Sequence, residues 1–70
     1  MNYLDRMRIE YGELSERHQK LGNFLETELF FLLADMERAL ILAQDAAMSA
    51  YATILLLRIR QAELEEARCS

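Results

Sequence analysis

The chain contains no proline and no tryptophan, only two glycines, and a single cysteine close to its C-terminus. Each shortage excludes something. Without proline, and with glycine only at Gly12 and Gly22, there is little to break a helix and little to build the tight turns of an all-β fold. One cysteine, Cys69, allows no intrachain disulfide, and with His18 as the only histidine there is no zinc-type cluster. Cys69 reads as a solvent-exposed tail thiol in a composition that suits a reducing cytoplasm. Basic charge is also in short supply: eight Lys and Arg stand against twelve Asp and Glu, a formal net charge of -4. That balance argues against general nucleic-acid binding through phosphate neutralisation. The charges are spread evenly, with no polybasic tail. The opening MNYLDRMRIE mixes acids and bases where a secretory signal needs an apolar region, so no such signal is expected.

What the chain has in quantity is apolar surface. Ala39 to Leu57 reads ALILAQDAAMSAYATILLL, interrupted only by Gln44, Asp45 and a few hydroxyls. A 70-residue chain folded as two helices cannot cover such a segment on every side, which predicts a helical oligomer with this stretch as its spine. A membrane span is the competing use. Asp45 lies inside the stretch, however, and its longest charge-free run, Ala46 to Leu57, has twelve residues where a span needs about 20. A membrane location is therefore not expected.

Asn2 is suited to cap a helix beginning at Tyr3, with Asp5 in its first turn. From there Leu4, Met7, Tyr11, Leu14, His18, Leu21 and Leu25 recur at alternating spacings of three and four, a heptad seam that predicts a first helix over about 3–26. Arg6 with Glu10, Glu13 with Arg17, and Glu16 with Lys20 form i, i+4 pairs on a solvated face. The apolar run LFFLL then breaks the seam. With Thr27 and Asp35 as caps, it predicts a bend over about 27–35 holding a short helical turn, filled by Phe24, Phe30 and Phe31.

A second helix is predicted over about 36–68, with two apolar stripes. The stripe of Met36, Leu40, Ala43, Ala47, Ala50, Ile54 and Leu57 is assigned to the hairpin contact. Ile41, Gln44, Met48, Tyr51 and Leu55, leading to Arg58 and Ala62, are assigned to the oligomer interface. The expectation is one all-α domain, residues 1–70: an antiparallel helical hairpin of two long helices with a short helical turn at the bend, assembling into a homo-oligomeric bundle.

Such a hairpin brings Arg6 and Arg8 toward Arg58 and Arg60, with Tyr3, Tyr11 and Tyr51 near the same end. Guanidinium groups beside tyrosines can hold phosphate bidentately and stack a base, so these seven residues form a candidate anion or nucleotide site. Ordinary surface pairs are the competing reading, since Arg6 has Glu10, Arg8 has Asp5 and Arg60 has Glu63 within helical reach. Arg58 has no carboxylate three or four residues away and must find a partner elsewhere. His18, on the seam, is expected to meet Gln44 or Asp45 across the hairpin, and those two polar residues read as register-setting groups. No nucleophile-base-acid spacing, glycine-rich phosphate loop or paired Glu-x-x-His metal motif is present, so neither enzyme chemistry nor a cofactor is expected.

The phrases Arg6-Met7, Glu10-Tyr11-x-Glu13-Leu14-x-x-Arg17 and Lys20-Leu21, followed by Gln44, Met48, Tyr51 and Arg58-Ile59, resemble a group of small phage and prophage proteins typified by one from a crAss-like phage. The resemblance covers about residues 5–60. It implies a helical hairpin of accessory function and carries no catalytic residues. A looser likeness, centred on the methionine-bearing second helix, is to phage sponge proteins that sequester the nucleotide signals of bacterial defence in oligomers; the first helix departs from that pattern. The resulting expectation is a non-enzymatic phage protein in the cytoplasm of its bacterial host, countering antiviral defence by binding a cyclic nucleotide. The alternative is an inhibitor that occludes a host defence protein with an acidic surface of Glu10, Glu13, Glu16, Glu63, Glu65 and Glu66. A membrane-active lysis protein is the third reading.

Overall fold

The computed structural model describes residues 2–69. The elements in chain order are α1 (Tyr3–Leu25), α2 (Glu28–Phe31) and α3 (Asp35–Cys69), and the described residues include no strand. The chain is all-helical, with two long helices and a bend between them.

Local chemistry sets the ends of each helix. The Asn2 side chain accepts a hydrogen bond from the Asp5 amide at 2.8 Å, occupying one of the donors that a helix start leaves unpaired. Gly22 and Asn23 do not end α1, which passes through them to Leu25. At the bend one hydroxyl serves two helices: Thr27 donates to the Phe24 carbonyl at 2.7 Å and accepts from the Phe30 amide at 3.4 Å. Phe30 is buried there, edge-on to Phe24 and to Phe31 at centroid separations of 6.1 and 5.4 Å. Phe31 itself points outward. Asp35, expected as the cap of α3, is instead its first residue and pairs with Arg38; the Ala34 carbonyl receives the first amide, that of Arg38, at 3.0 Å.

α1 and α3 run antiparallel in a rod of 54 × 16 × 16 Å. Their contact is a single line of apolar side chains. Leu4, Met7 and Leu14 of α1 pack with Leu55 and Ile59 of α3, and Tyr11, Met48, Ala52 and Ala62 complete the layer. The α1 seam is therefore the one the heptad spacing predicts. On α3 the two stripes are exchanged. The stripe that faces α1 is Ile41, Asp45, Met48, Ala52, Leu55, Ile59 and Ala62, with Leu55 fully buried. The stripe assigned to the hairpin is bare: Leu40 is 63% exposed, Ile54 54% and Leu57 57%, and Ala43, Ala47 and Ala50 are exposed between them. The reason is bulk. Met48, Leu55 and Ile59 offer α1 more apolar volume over the middle of the hairpin than three alanines do, and burial follows area removed from water. Of the residues assigned to the oligomer interface, Leu55, Met48 and Ile41 are thus taken up by the hairpin itself, whereas Gln44 and Tyr51 stand on its exposed edge.

α3 is long and apolar enough to cross a membrane by length and composition, with a mean hydropathy of 1.6 over its most apolar window. Only 6% of that window is buried within the chain, so its apolar character is mostly unused by the hairpin.

The packing carries two expected outcomes. Leu55→Ala removes the one fully buried side chain of the contact line and should lower stability by about 2–5 kcal/mol. Gly12 lies within α1, where an added Cβ would meet nothing within 4 Å, so Gly12→Ala should raise stability by about 0.5–1 kcal/mol. Urea unfolding followed by far-UV circular dichroism reads both.

Candidate functional site

The seam fixes which polar residues meet at its two edges, because positions flanking it on α1 face positions flanking it on α3. Along one edge Tyr3 and Glu10, seven residues apart, meet Arg58 and Tyr51, also seven apart. Arg58 donates from Nη2 to the Tyr3 hydroxyl, and its guanidinium carbon lies 5.7 Å from the centre of the Tyr3 ring, within cation-π range. One turn or two along, the Tyr51 hydroxyl donates to Oε1 of Glu10. Arg6 joins this edge: Tyr3, Arg6, Met7, Glu10 and Arg58 line an open cleft of about 320 Å³. A second, smaller cleft of about 230 Å³ lies on the other side of the Tyr3-Arg58 pair, lined also by Gln61, Ala62 and Glu65.

The opposite edge is closed by charge. Arg8 Nη2 donates to Oε2 of Glu63 at 2.8 Å, and Arg8 Nη1 lies 3.6 Å from Asp5. The hydrogen bond to Glu63 is the main influence raising the Arg8 guanidinium further above its ordinary pKa; desolvation opposes it, and the charges of Glu63, Asp5 and Glu66 add to it.

Of the seven residues of the expected anion site, the structure gathers four, Tyr3, Arg6, Tyr51 and Arg58, along one edge. Arg8 is on the other edge, engaged by two carboxylates. Arg60, two residues from Arg58, projects from a different side of α3, as a turn of about 100° per residue requires. Tyr11 is packed against the core. Two expected i, i+4 or i, i+3 pairs are absent among the described residues. Glu10 turns from Arg6 to Tyr51, and Glu63 turns from Arg60 to Arg8, because each stands at the hairpin edge opposite a donor on the other helix. Arg6 and Arg60 consequently have no ion pair among the described residues. Glu13 with Arg17 at 3.6 Å and Glu16 with Lys20 at 3.5 Å do form.

Glu10 and Glu63 link the two helices at the hairpin edges, a role that spacing within one helix did not reveal. The signal was in the heptad: Tyr3 and Glu10 share one flank of the α1 seam while Arg8 occupies the other. Toward the bend, His18 Nε2 lies 3.0 Å from Oδ1 of Asp45, each side chain 31% exposed, which satisfies both polar members of the contact line. No buried side-chain nitrogen or oxygen among the described residues lacks a partner, and no group of three or more metal-ligating side chains occurs among them.

Together the open edge of Tyr3, Arg6, Glu10, Tyr51 and Arg58 and the all-helical rod make a small helical hairpin with its polar groups arranged along a surface instead of inside a closed cavity. A family model described as Sequestin matches residues 1–61, which takes in α1, α2 and α3 as far as Gln61, and the chain belongs to this family. The match includes Tyr3, Arg6, Glu10, Tyr51 and Arg58. The family name denotes sequestration, which agrees with a surface that holds a partner. No curated protein and no solved structure matches the chain.

The edge also predicts a titration. The hydrogen bond to Glu10, followed by desolvation and the Glu10 charge, raises the Tyr51 phenol above its ordinary value of 10.0, while Arg58 opposes. The folded state therefore holds this proton longer than the unfolded chain. The stability it contributes is complete below the ordinary tyrosine pKa and is lost as pH rises through the raised value. Ultraviolet absorbance titration should show a tyrosine ionising above 10.0. Glu10→Ala should move that late component back toward the ordinary value.

Proposed function

We propose that the chain is a non-enzymatic sequestering protein that holds a small anionic ligand of the nucleotide class on the Tyr3, Arg6, Arg58 edge of a homo-oligomer. The observation that carries this reading is the state of the two arginines. In a chain of net charge -4, Arg6 and Arg58 share a cleft and neither meets a carboxylate among the described residues. Of the nearby acids, Glu10 accepts from Tyr51, and Glu65 lines the smaller cleft on the other side of Arg58. Guanidinium groups left with free donors beside an aromatic face suit a phosphate and a base in one ligand. In this reading the protein is a phage accessory factor in the cytoplasm of the bacterial host, removing a cyclic-nucleotide signal of antiviral defence by stoichiometric binding. The family membership supports sequestration as the mode.

The alternative, occlusion of a host defence protein by acidic helices, has less to draw on. Among its six glutamates, Glu13, Glu16 and Glu63 contact cations of the same chain and Glu10 accepts from Tyr51, which leaves Glu65 and Glu66.

Isothermal titration calorimetry with a panel of cyclic mono- and dinucleotides tests the proposal. One member should bind, and Arg58→Ala should weaken it roughly 10- to 150-fold, the loss of one charge-assisted hydrogen bond. No heat from any nucleotide, or affinity unchanged in Arg58→Ala, would remove the nucleotide reading. Recovery of a stoichiometric host protein from lysate would favour occlusion instead.

A further inference from the structure

The bare stripe of α3 is itself a heptad seam. Met36, Leu40, Ala43, Ala47, Ala50, Ile54, Leu57, Gln61 and Leu64 continue the alternation of four and three without a break, on the side of the helix away from α1. A monomer has no use for it, and large apolar side chains along it are more than half exposed.

We infer that this seam pairs with the same seam of a second copy, antiparallel about a two-fold axis between Ala47 and Ala50. The inference rests on the proposed self-assembly and gives it a surface and a register. Three features of the chain select that register. Leu40 then faces Leu57 of the partner subunit, Ala43 faces the partner's Ile54, and Ala47 faces the partner's Ala50, so side-chain bulk falls layer by layer toward the two-fold axis and the alanines let the helices approach at the crossing. A parallel pair could set Glu65 beside Arg60 of the partner subunit, but would stack Ala43, Ala47 and Ala50 each on its own copy and pinch the centre between Leu40 and Ile54.

Charge is the second feature. In antiparallel coiled pairs, residues on the same flank of the two seams meet. Glu37, Gln44, Tyr51, Arg58 and Glu65 form one flank at steps of seven. In the stated register Glu37 meets Arg58 of the partner subunit, and Gln44 meets the partner's Tyr51. A slip of one heptad in one direction sets Glu37 against the partner's Glu65, and in the other against its Tyr51. Glu37 and Arg58 are both exposed, and neither has an ion pair among the described residues.

The third feature is length. The register carries Leu64 of the partner subunit beyond the start of α3 to the level of the bend, where Leu29, Phe31 and Leu32 are 64–79% exposed. The same stripe laid in a bilayer would submerge Asp45, and the charge-free part of α3, Ala46 to Leu57, spans about 18 Å against a hydrocarbon core of about 30 Å. A second copy is the occupant the chain fits. The Tyr3-Arg58 edge becomes the rim of the two-fold interface, where the partner's Glu37 and a bound anion compete for Arg58.

Cysteine cross-linking in a Cys69→Ser background tests the arrangement. Leu40→Cys/Leu57→Cys should form an interchain disulfide under mild oxidation, while Leu40→Cys alone and Leu57→Cys alone should not. The two positions lie about 25 Å apart along one helix, so an intrachain bridge cannot mimic the result. Cross-linking by either single variant would establish a parallel pairing and overturn the inference. So would absence of cross-linking in the double variant, a single-chain mass by light scattering, or transfer of the unmodified chain into phosphatidylcholine vesicles. Nucleotide calorimetry is read separately: loss of ligand binding with cross-linking intact counts against the sequestering function alone.

Discussion

A single line of contact between two helices governs this molecule. Leu4, Met7, Tyr11 and Leu14 on one side and Met48, Ala52, Leu55, Ile59 and Ala62 on the other form its core, with Phe30 buried separately at the bend. A hairpin of two helices has no second layer. Whatever apolar surface lies off that line stays in water, and whatever polar residue flanks the line is carried to one of its two edges. The aromatic-cationic edge, the charge-closed edge and the bare back of α3 are all consequences of where that line runs.

Much of this was legible in the sequence. The α1 seam, the Asn2 and Thr27 caps and the bend follow from local patterns that nothing in the tertiary structure opposes. The face of α3 was not read correctly, and the cause is physical. This helix is apolar on most of its circumference, so periodicity defines two seams and does not rank them. One residue does rank them. His18 sits on the α1 seam, so an acid that satisfies it must sit on the α3 seam, and only Asp45 does so. Placing Asp45 inward brings Ile41, Met48, Ala52, Leu55 and Ile59 inward with it at steps of three and four. The polar pair, and not the apolar pattern, holds the information about register.

The same lesson applies to the charges. Helical spacing offered Arg6 a partner in Glu10 and Arg60 a partner in Glu63, but exposed i, i+4 pairs are worth only about 0.2–0.5 kcal/mol and yield to a donor presented by the opposite helix. Tyr51 and Arg8 take those carboxylates. The result is an uneven distribution in an acidic chain: one edge is tied up in ion pairs, and the other keeps two guanidinium groups that form no ion pair among the described residues, with Glu10 alongside them. Net charge alone, at -4, points away from anion binding. The local field at the Tyr3, Arg6, Arg58 cleft is set by two guanidinium groups against one carboxylate, Glu10, whose hydrogen bond from the neutral Tyr51 phenol leaves its charge in place, while Asp5 and Glu63 are held by Arg8 on the other edge.

The exchange of stripes on α3 also changes how assembly and binding relate. Had the alanine-rich stripe packed on α1, Leu55 and Met48 would face outward, and a partner chain would lie directly over Tyr51 and Arg58. With the stripes as observed, Tyr51 and Arg58 stand on the flank between the inner seam and the outer one, open to both. The ligand proposed for this edge would contact α1 through Tyr3 and Arg6 and, in the proposed two-fold pair, would displace the partner's Glu37 from Arg58 without being covered by the second copy. Such a site can fill and empty while the helices stay packed, which is what stoichiometric sequestration asks of a chain whose own core is a single seam.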